Sequence, residues 1–160
     1  MLFKKNKEQD CIDACIWIGA FFEENHSCAE YIKQIGYKLR PNGLITVPLL
    51  GEIITHLIIK VPPEKSYIVT RVFEDLYKII NKLKNEKRLE IARLTDINKE
   101  AIEDIKETDF AIDEDDALHL AWAIKHQCKN FITLDKKLIE NEKLKSVLRN
   151  KYRLRIKSPD

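Results

Sequence analysis

The chain has 160 residues, 44% hydrophobic and 34% charged, with four Gly and five Pro. That length buries a core without staples, and the composition excludes collagen-like, low-complexity and largely disordered chains. The 28 Lys and Arg nearly balance 26 Asp and Glu, a formal charge of +2 that by itself announces no polyanion binder. The charges are segregated, however: residues 100–116 carry nine acids and one Lys, and residues 136–157 carry nine bases and two Glu. Either block can be an ordinary solvated helix face.

Cys11, Cys15, Cys28 and Cys128 form no C-x-x-C pair and have no His at zinc-finger spacing, so free thiols in a reducing cytoplasm are expected. The start MLFKKNKEQD lacks the apolar core of a secretion signal. The longest apolar stretch, 44–61, is broken by Pro48, Glu52, His56 and Lys60, and is not a membrane span. No repeat is found, and Pro62-Pro63 separates two helical patterns, so residues 1–160 read as a single domain.

In chain order, CIDACIWIG is an apolar strand passing into a helix, and Ser27 is a plausible N-cap for a helix through CAEYIKQIGYKL, stopped by Pro41-Asn42-Gly43. GLITV is a β-branched strand, and Pro48 suits the first turn of the helix after it. Leu50, Ile53, Ile54, Leu57, Ile58 and Val61 make one apolar stripe there, with Glu52 and His56 off it. A long helix is expected from Ser66 to about Lys84, a strand at RLEIARL, and a helix from Asp96 to Lys106 that Asp96 can cap. Asp113 can cap a helix through ALHLAWAIKH, NFITL is a short buried strand, LIENEKLKSVL a helix and YRLRI a last strand. Strands alternating with helices predict a three-layer α/β/α fold with a mainly parallel sheet of about five strands.

In a parallel sheet the strand-to-helix junctions gather along the carboxyl edge, where open α/β folds bind ligands. Asp13 closes the first apolar run and Asp135 closes FITL. Glu52 is expected in the first turn after GLITV, and Asp116 in the first turn of its own helix. Each has an unremarkable alternative, since carboxylates near helix N-termini cap free N–H groups and offset the macrodipole. Four carboxylates sharing one edge would repel unless protonated or bridged by a cation. All-oxygen ligands suit Mg²⁺ or Mn²⁺, and the want of Cys or His at ligand spacing argues against zinc. Such a site fits phosphodiester hydrolysis.

CIDACIWI, VPLLGEII, DALHLAWA and ITLDKKL occur in the order and at the spacing found in the PIN-domain ribonucleases, and the sequence resembles the small VapC-like members over nearly its whole length. The pair DALHLAWA and ITLD is the specific part, and it selects Asp116 over Asp115. The resemblance implies that Asp13, Asp116 and Asp135 hold one or two Mg²⁺ or Mn²⁺ ions, with Glu52 a ligand through water or an orienter. It implies an RNA substrate cut to leave a 5′-phosphate and a 3′-hydroxyl, and, as partners, an antitoxin protein and a second copy of the chain. Two residues beyond the first Asp the family commonly has Asn or Ser, where this chain has Cys15, so a polar partner of Asp13 is expected to be missing.

Thr133 points along its strand to the side of Asp135 and can bond a carboxylate or a phosphate. His119, one turn past Asp116, is expected to be structural, and Trp17 and Trp122 to be core. The basic residues from Lys136 to Lys157 can neutralise RNA phosphates. Two other readings stay open: a non-catalytic module of the same fold that binds RNA or protein, and a metal-dependent phosphatase of small phosphoesters.

Overall fold

The structure is a computed structural model that describes residues 7–93 and 96–160. The opening residues read as lacking a secretion signal, and Leu94 of the expected strand RLEIARL, lie partly or wholly outside the described residues. Among the described residues five short strands form the sheet: β1 (Gln9–Ile12), β2 (Asn42–Thr46), β3 (Leu89–Ala92), β4 (Asn130–Ile132) and β5 (Arg155–Lys157). All pairings are parallel, in the order β3-β2-β1-β4-β5. Parallel strands need crossovers, and eight α-helices supply them: α1 (Ala14–Phe21), α2 (His26–Gln34), α3 (Val47–Lys60), α4 (Ser66–Asn85), α5 (Lys99–Thr108), α6 (Glu114–Lys125), α7 (Lys136–Ile139) and α8 (Glu142–Tyr152). Helices α1 to α4 pack around α1, and α5, α7 and α8 form a second group with α6, which gives the three-layer α/β/α arrangement.

The central strands are apolar because both their faces are covered. Ile12, Leu44, Ile45 and Phe131 are fully enclosed, with Trp17 on α1 beneath them and Trp122 of α6 also buried, so both indoles are core as expected. Strand order turns back at β1, which sends β2 and β3 to one side and β4 and β5 to the other. The crevice at such a reversal opens at the carboxyl ends of β1 and β4, where a ligand meets backbone from two diverging connections.

Several boundaries differ from the sequence reading, each for a local reason. Asn25, not Ser27, caps α2, its Oδ1 accepting from the Cys28 amide at 3.1 Å. That helix ends at Gln34, because Gly36 adopts a left-handed φ of +63° and donates its N–H to the Pro41 carbonyl at 2.8 Å. Asn98 rather than Asp96 caps α5, accepting from the Glu100 amide at 3.0 Å. The expected helix LIENEKLKSVL is two, α7 and α8, divided where Asn141 accepts from the Leu144 amide at 3.0 Å. Tyr152 still belongs to α8, and left-handed Arg153 turns the chain into β5.

Along α3 the core-facing residues are Leu49, Ile53 and Leu57, whereas Ile58, counted in the expected stripe, is 61% exposed. Leu49, Leu50, Ile53, Ile54, Leu57, Ile58 and Ile59 cover more than one face of that helix, so period alone does not select the buried one.

Candidate active site at the carboxyl edge

Asp13 stands immediately after β1. Its amide donates to the Ile132 carbonyl at 2.9 Å, which ties it to the end of β4, and its extended backbone makes it the N-cap of α1. Oδ1 accepts from the Ala14 amide at 2.7 Å. Oδ2 accepts from the Thr133 hydroxyl at 2.6 Å, a charge-assisted bond worth roughly 1.5–3 kcal/mol. Thr133 in turn accepts from the Asp135 amide at 3.0 Å, so one hydroxyl links the acids of two strand ends.

Cys15 also reaches Asp13. Its thiol donates to Oδ2 at 3.3 Å and accepts from the Leu134 amide at 3.3 Å. The expected loss of a polar partner is therefore corrected: the thiol bonds the carboxylate from α1. Burial, together with the Asp13 charge, pushes its pKa up to about 12, so it stays a neutral donor.

Asp135 caps α7, accepting from the Lys137 amide at 2.8 Å through Oδ1, while its Oδ2 makes no hydrogen bond among the described residues. The capping alternative thus holds for Asp13 and Asp135, but it occupies only part of each carboxylate, which offers about four lone-pair positions. Asp116 is the third residue of α6, in the first turn as expected, and is half-buried. Asp113 occupies the cap position before it without a side-chain capping bond.

Glu52 lies in the second turn of α3, not the first as expected, because the helix already begins at Val47. Its Oε2 meets His119 Nε2 at 2.9 Å. Sequence reasoning placed His119 near the site as a structural residue and missed this contact. The available signal was its position one turn after Asp116, on the same face of α6. His119 is buried, and its Nδ1 has no hydrogen-bond partner among the described residues.

These groups lie within one another's fields. Burial pushes the Asp13 carboxyl up; its bonds to Thr133 and Cys15 pull the other way, and Glu52 adds to the rise. Asp116 is pushed up to about 6 by burial and then by the charges of Asp135, Asp13 and Asp113, with His119 opposing. For His119, burial favours the neutral ring, but the bond to Glu52 and the charges of Glu52, Asp13 and Asp116 outweigh it and hold its pKa above the ordinary value.

In donor chemistry the carboxylates fit a hard divalent cation: all ligands are oxygen, one Asp135 oxygen is unengaged, and the repulsion around Asp116 is what a cation relieves. In spacing they are looser, since among the described residues no three His, Cys, Asp or Glu side chains close on a single ion position.

The protein is thus a parallel α/β fold with acids from the ends of β1 and β4 and from α6 at its carboxyl edge, and a Glu–His pair beside them. A model of the PIN domain matches residues 11–144, and the chain belongs to the PIN domain family, whose members are typically nucleases. Among solved structures, it is similar to a chain in the crystal structure of VapBC2 from Rickettsia felis bound to a DNA fragment from their promoter. That similarity has a TM-score of 0.62 and 14% identity over 94% of this chain and 98% of the other. No curated protein sequence matches this one. No helix among the described residues is long and apolar enough to cross a membrane.

Proposed function

We propose that this protein is a metal-dependent endoribonuclease that hydrolyses RNA phosphodiester bonds in the cytoplasm, with residues 1–160 acting as a single PIN-like domain. The observation that carries this reading is geometric: the Thr133 hydroxyl donates to Asp13 Oδ2 at 2.6 Å and accepts from the Asp135 amide at 3.0 Å, which joins the acids behind β1 and β4 at one edge, where their charges also push the Asp116 carboxyl up. Asp13, Asp116 and Asp135 would hold one or two Mg²⁺ or Mn²⁺ ions. An ion bound there supplies Lewis acidity, acidifying water and offsetting phosphate charge.

The chain's own residues do the positioning. Thr133 and Cys15 fix the Oδ2 face of Asp13, and the Lys137 amide fixes Asp135. His119 holds the half-exposed Glu52 toward the acids, as a ligand through water or an orienter. The products are a 5′-phosphate and a 3′-hydroxyl.

The assignment as the toxin of a toxin–antitoxin pair is part of the proposal, supported by the shared fold with a chain of the VapBC2 structure. Its partners are then an antitoxin protein and a second copy of the chain. A second reading, a non-catalytic PIN module that binds RNA or protein, is favoured by the absence of a closed ligand set among the described residues.

Purified protein incubated with an end-labelled RNA separates the two. The nuclease reading expects cleavage in Mg²⁺ or Mn²⁺, none in EDTA, and a loss of at least about a hundredfold in folded Asp13→Asn and Asp116→Asn. RNA left intact with either ion favours the module, and cleavage in EDTA contradicts the assignment.

A further inference from the structure

The acidic edge repels a polyanion, so a nuclease of this design needs attraction from elsewhere on its surface. The basic block from Lys136 to Lys157 is not spread evenly. A groove of about 350 Å³ between α8 and β5 collects Lys145, Arg149, Arg155 and Lys157, with Glu142 the one acid in its wall. Lys145 is paired with that Glu142 at 2.8 Å. Arg149, Arg155 and Lys157 make no salt bridge among the described residues, and all three are exposed. Arg149 also feels Glu142, and Lys157 feels Asp10, but cations outnumber acids in this wall, which leaves a local positive field suited to a polyanion.

The groove lies along the sheet edge, two strands from β1. Arg155 and Lys157 project from the same side of β5, on either side of buried Ile156. The Lys157 carbonyl accepts from the Thr133 amide at 3.0 Å, and the Thr133 hydroxyl is the one bonded to Asp13. Only backbone is shared there, about 4.8 Å from strand to strand: in the parallel register Arg155 and Lys157 stand on the sheet face of Asn130 and Ile132, and the charge of Lys157 acts on Asp10. β5 is the outermost strand, so nothing in the sheet lies beyond it. No aromatic residue lines the groove. Stacking on bases needs such rings, whereas phosphates need only cations and N–H groups.

We infer that the α8–β5 groove binds the sugar-phosphate backbone of single-stranded RNA through Arg149, Arg155 and Lys157, and contributes affinity without base preference. That the bound RNA is also the cleaved strand rests on the nuclease reading; the binding itself does not.

The test is fluorescence anisotropy of a labelled single-stranded RNA oligonucleotide with the full chain in EDTA, across a salt series. Arg149→Gln, Arg155→Gln and Lys157→Gln are combined in one variant. Lys78→Gln, Lys82→Gln and Lys84→Gln on α4 form a charge-matched control, since α4 packs by β3 at the opposite edge of the sheet. Removing one cation that neutralises a phosphate flattens the slope of log K against log salt by roughly 0.7 for single strands, so the groove variant should fall by roughly two in slope and at least tenfold in affinity at low salt. Homopolymers of different base should weaken alike, and the α4 variant should stay within twofold of the parent in affinity. Melting temperature checks that both variants are folded.

Equal losses of affinity in the two variants, or an unchanged slope in the groove variant, overturn the inference. A parent chain that binds no RNA but binds poly-glutamate overturns it in favour of an acidic protein partner. Hydrolysis of bis(p-nitrophenyl) phosphate in Mn²⁺, which needs no groove, keeps the two proposals apart. A groove variant that retains this small-diester activity while its KM for RNA rises supports the inference. RNA binding through the groove in a chain that cleaves nothing leaves the inference standing and the nuclease reading refuted.

Discussion

Cys15 is where a single side chain most alters the expected picture. A thiol is a weak donor, yet here it is half-buried, neutral and within 3.3 Å of both the Asp13 carboxylate and the Leu134 amide. Partners of this kind orient ligating carboxylates, and their removal typically lowers metal affinity or activity 10–100-fold. Cys15→Ala should accordingly lower Mn²⁺-dependent kcat/KM on RNA about tenfold, and Cys15→Ser, which keeps a donor and an acceptor, should restore it to within a few-fold. Parent-level activity in Cys15→Ala would show that Thr133 alone suffices.

Asp10, on β1 away from the site, makes a pH prediction. Its carboxyl accepts from the Tyr31 hydroxyl and the Asn130 side-chain Nδ2, each at 2.7 Å. Burial nevertheless raises its pKa above the ordinary value. A carboxyl that is harder to ionise in the native state than in the unfolded chain contributes stability at low pH. That contribution fades as pH rises from the unfolded value, near 3.9, through the raised native one. Asp10→Asn removes the fading contribution, so its melting temperature relative to the parent should be more favourable at pH 7 than at pH 4. An equal offset at both would contradict the burial argument.

Among the elements, β1 and β4 with Asp13 and Asp135 behind them were legible because each rests on a short local signal, an apolar run ended by a carboxylate, and Asp116 because an acidic cap precedes the apolar face of α6. Asp13, Asp135 and Asp116 fall where the sequence puts them relative to β1, β4 and α6. Helix ends were less legible where two capping residues lie close together, as with Asn25 and Ser27 or Asp96 and Asn98, since local propensity ranks them alike and the approach of neighbouring backbone decides. The division of α7 from α8 is such a case. Asn141 accepts from the Leu144 amide and donates to Asp109 at 3.2 Å, and the Asp109 contact lies far away in sequence. Asn141→Ala should cost about 1–2 kcal/mol in denaturant unfolding, and a change below a few tenths would mean that the break does not depend on the cap.

The contact of His119 with Glu52 was out of reach for a related reason. It joins α6 to α3 across 67 residues of chain, and only the folded topology sets their separation.

For the molecule as a whole, strand order and charge act together. The reversal at β1 brings the ends of β1 and β4 side by side, and the Thr133 hydroxyl bridges them. Acids gather there, while Arg149, Arg155 and Lys157 stand exposed at the β5 edge, so the two charge signs lie on different parts of the sheet rim. The central claim is that Asp13, Asp116 and Asp135 share a cation, which must then stabilise the native state alone, by about 2.7 kcal/mol at a hundred times its Kd.

Thermal unfolding at pH 7 in EDTA and across a Mn²⁺ series, for the parent and Asp116→Asn, measures this directly. The parent should gain roughly 5–10 °C at saturating Mn²⁺. Asp116→Asn should melt above the parent in EDTA, relieved of repulsion, and gain little from the ion. A parent indifferent to Mn²⁺, or a variant that gains as much as the parent, would contradict the account.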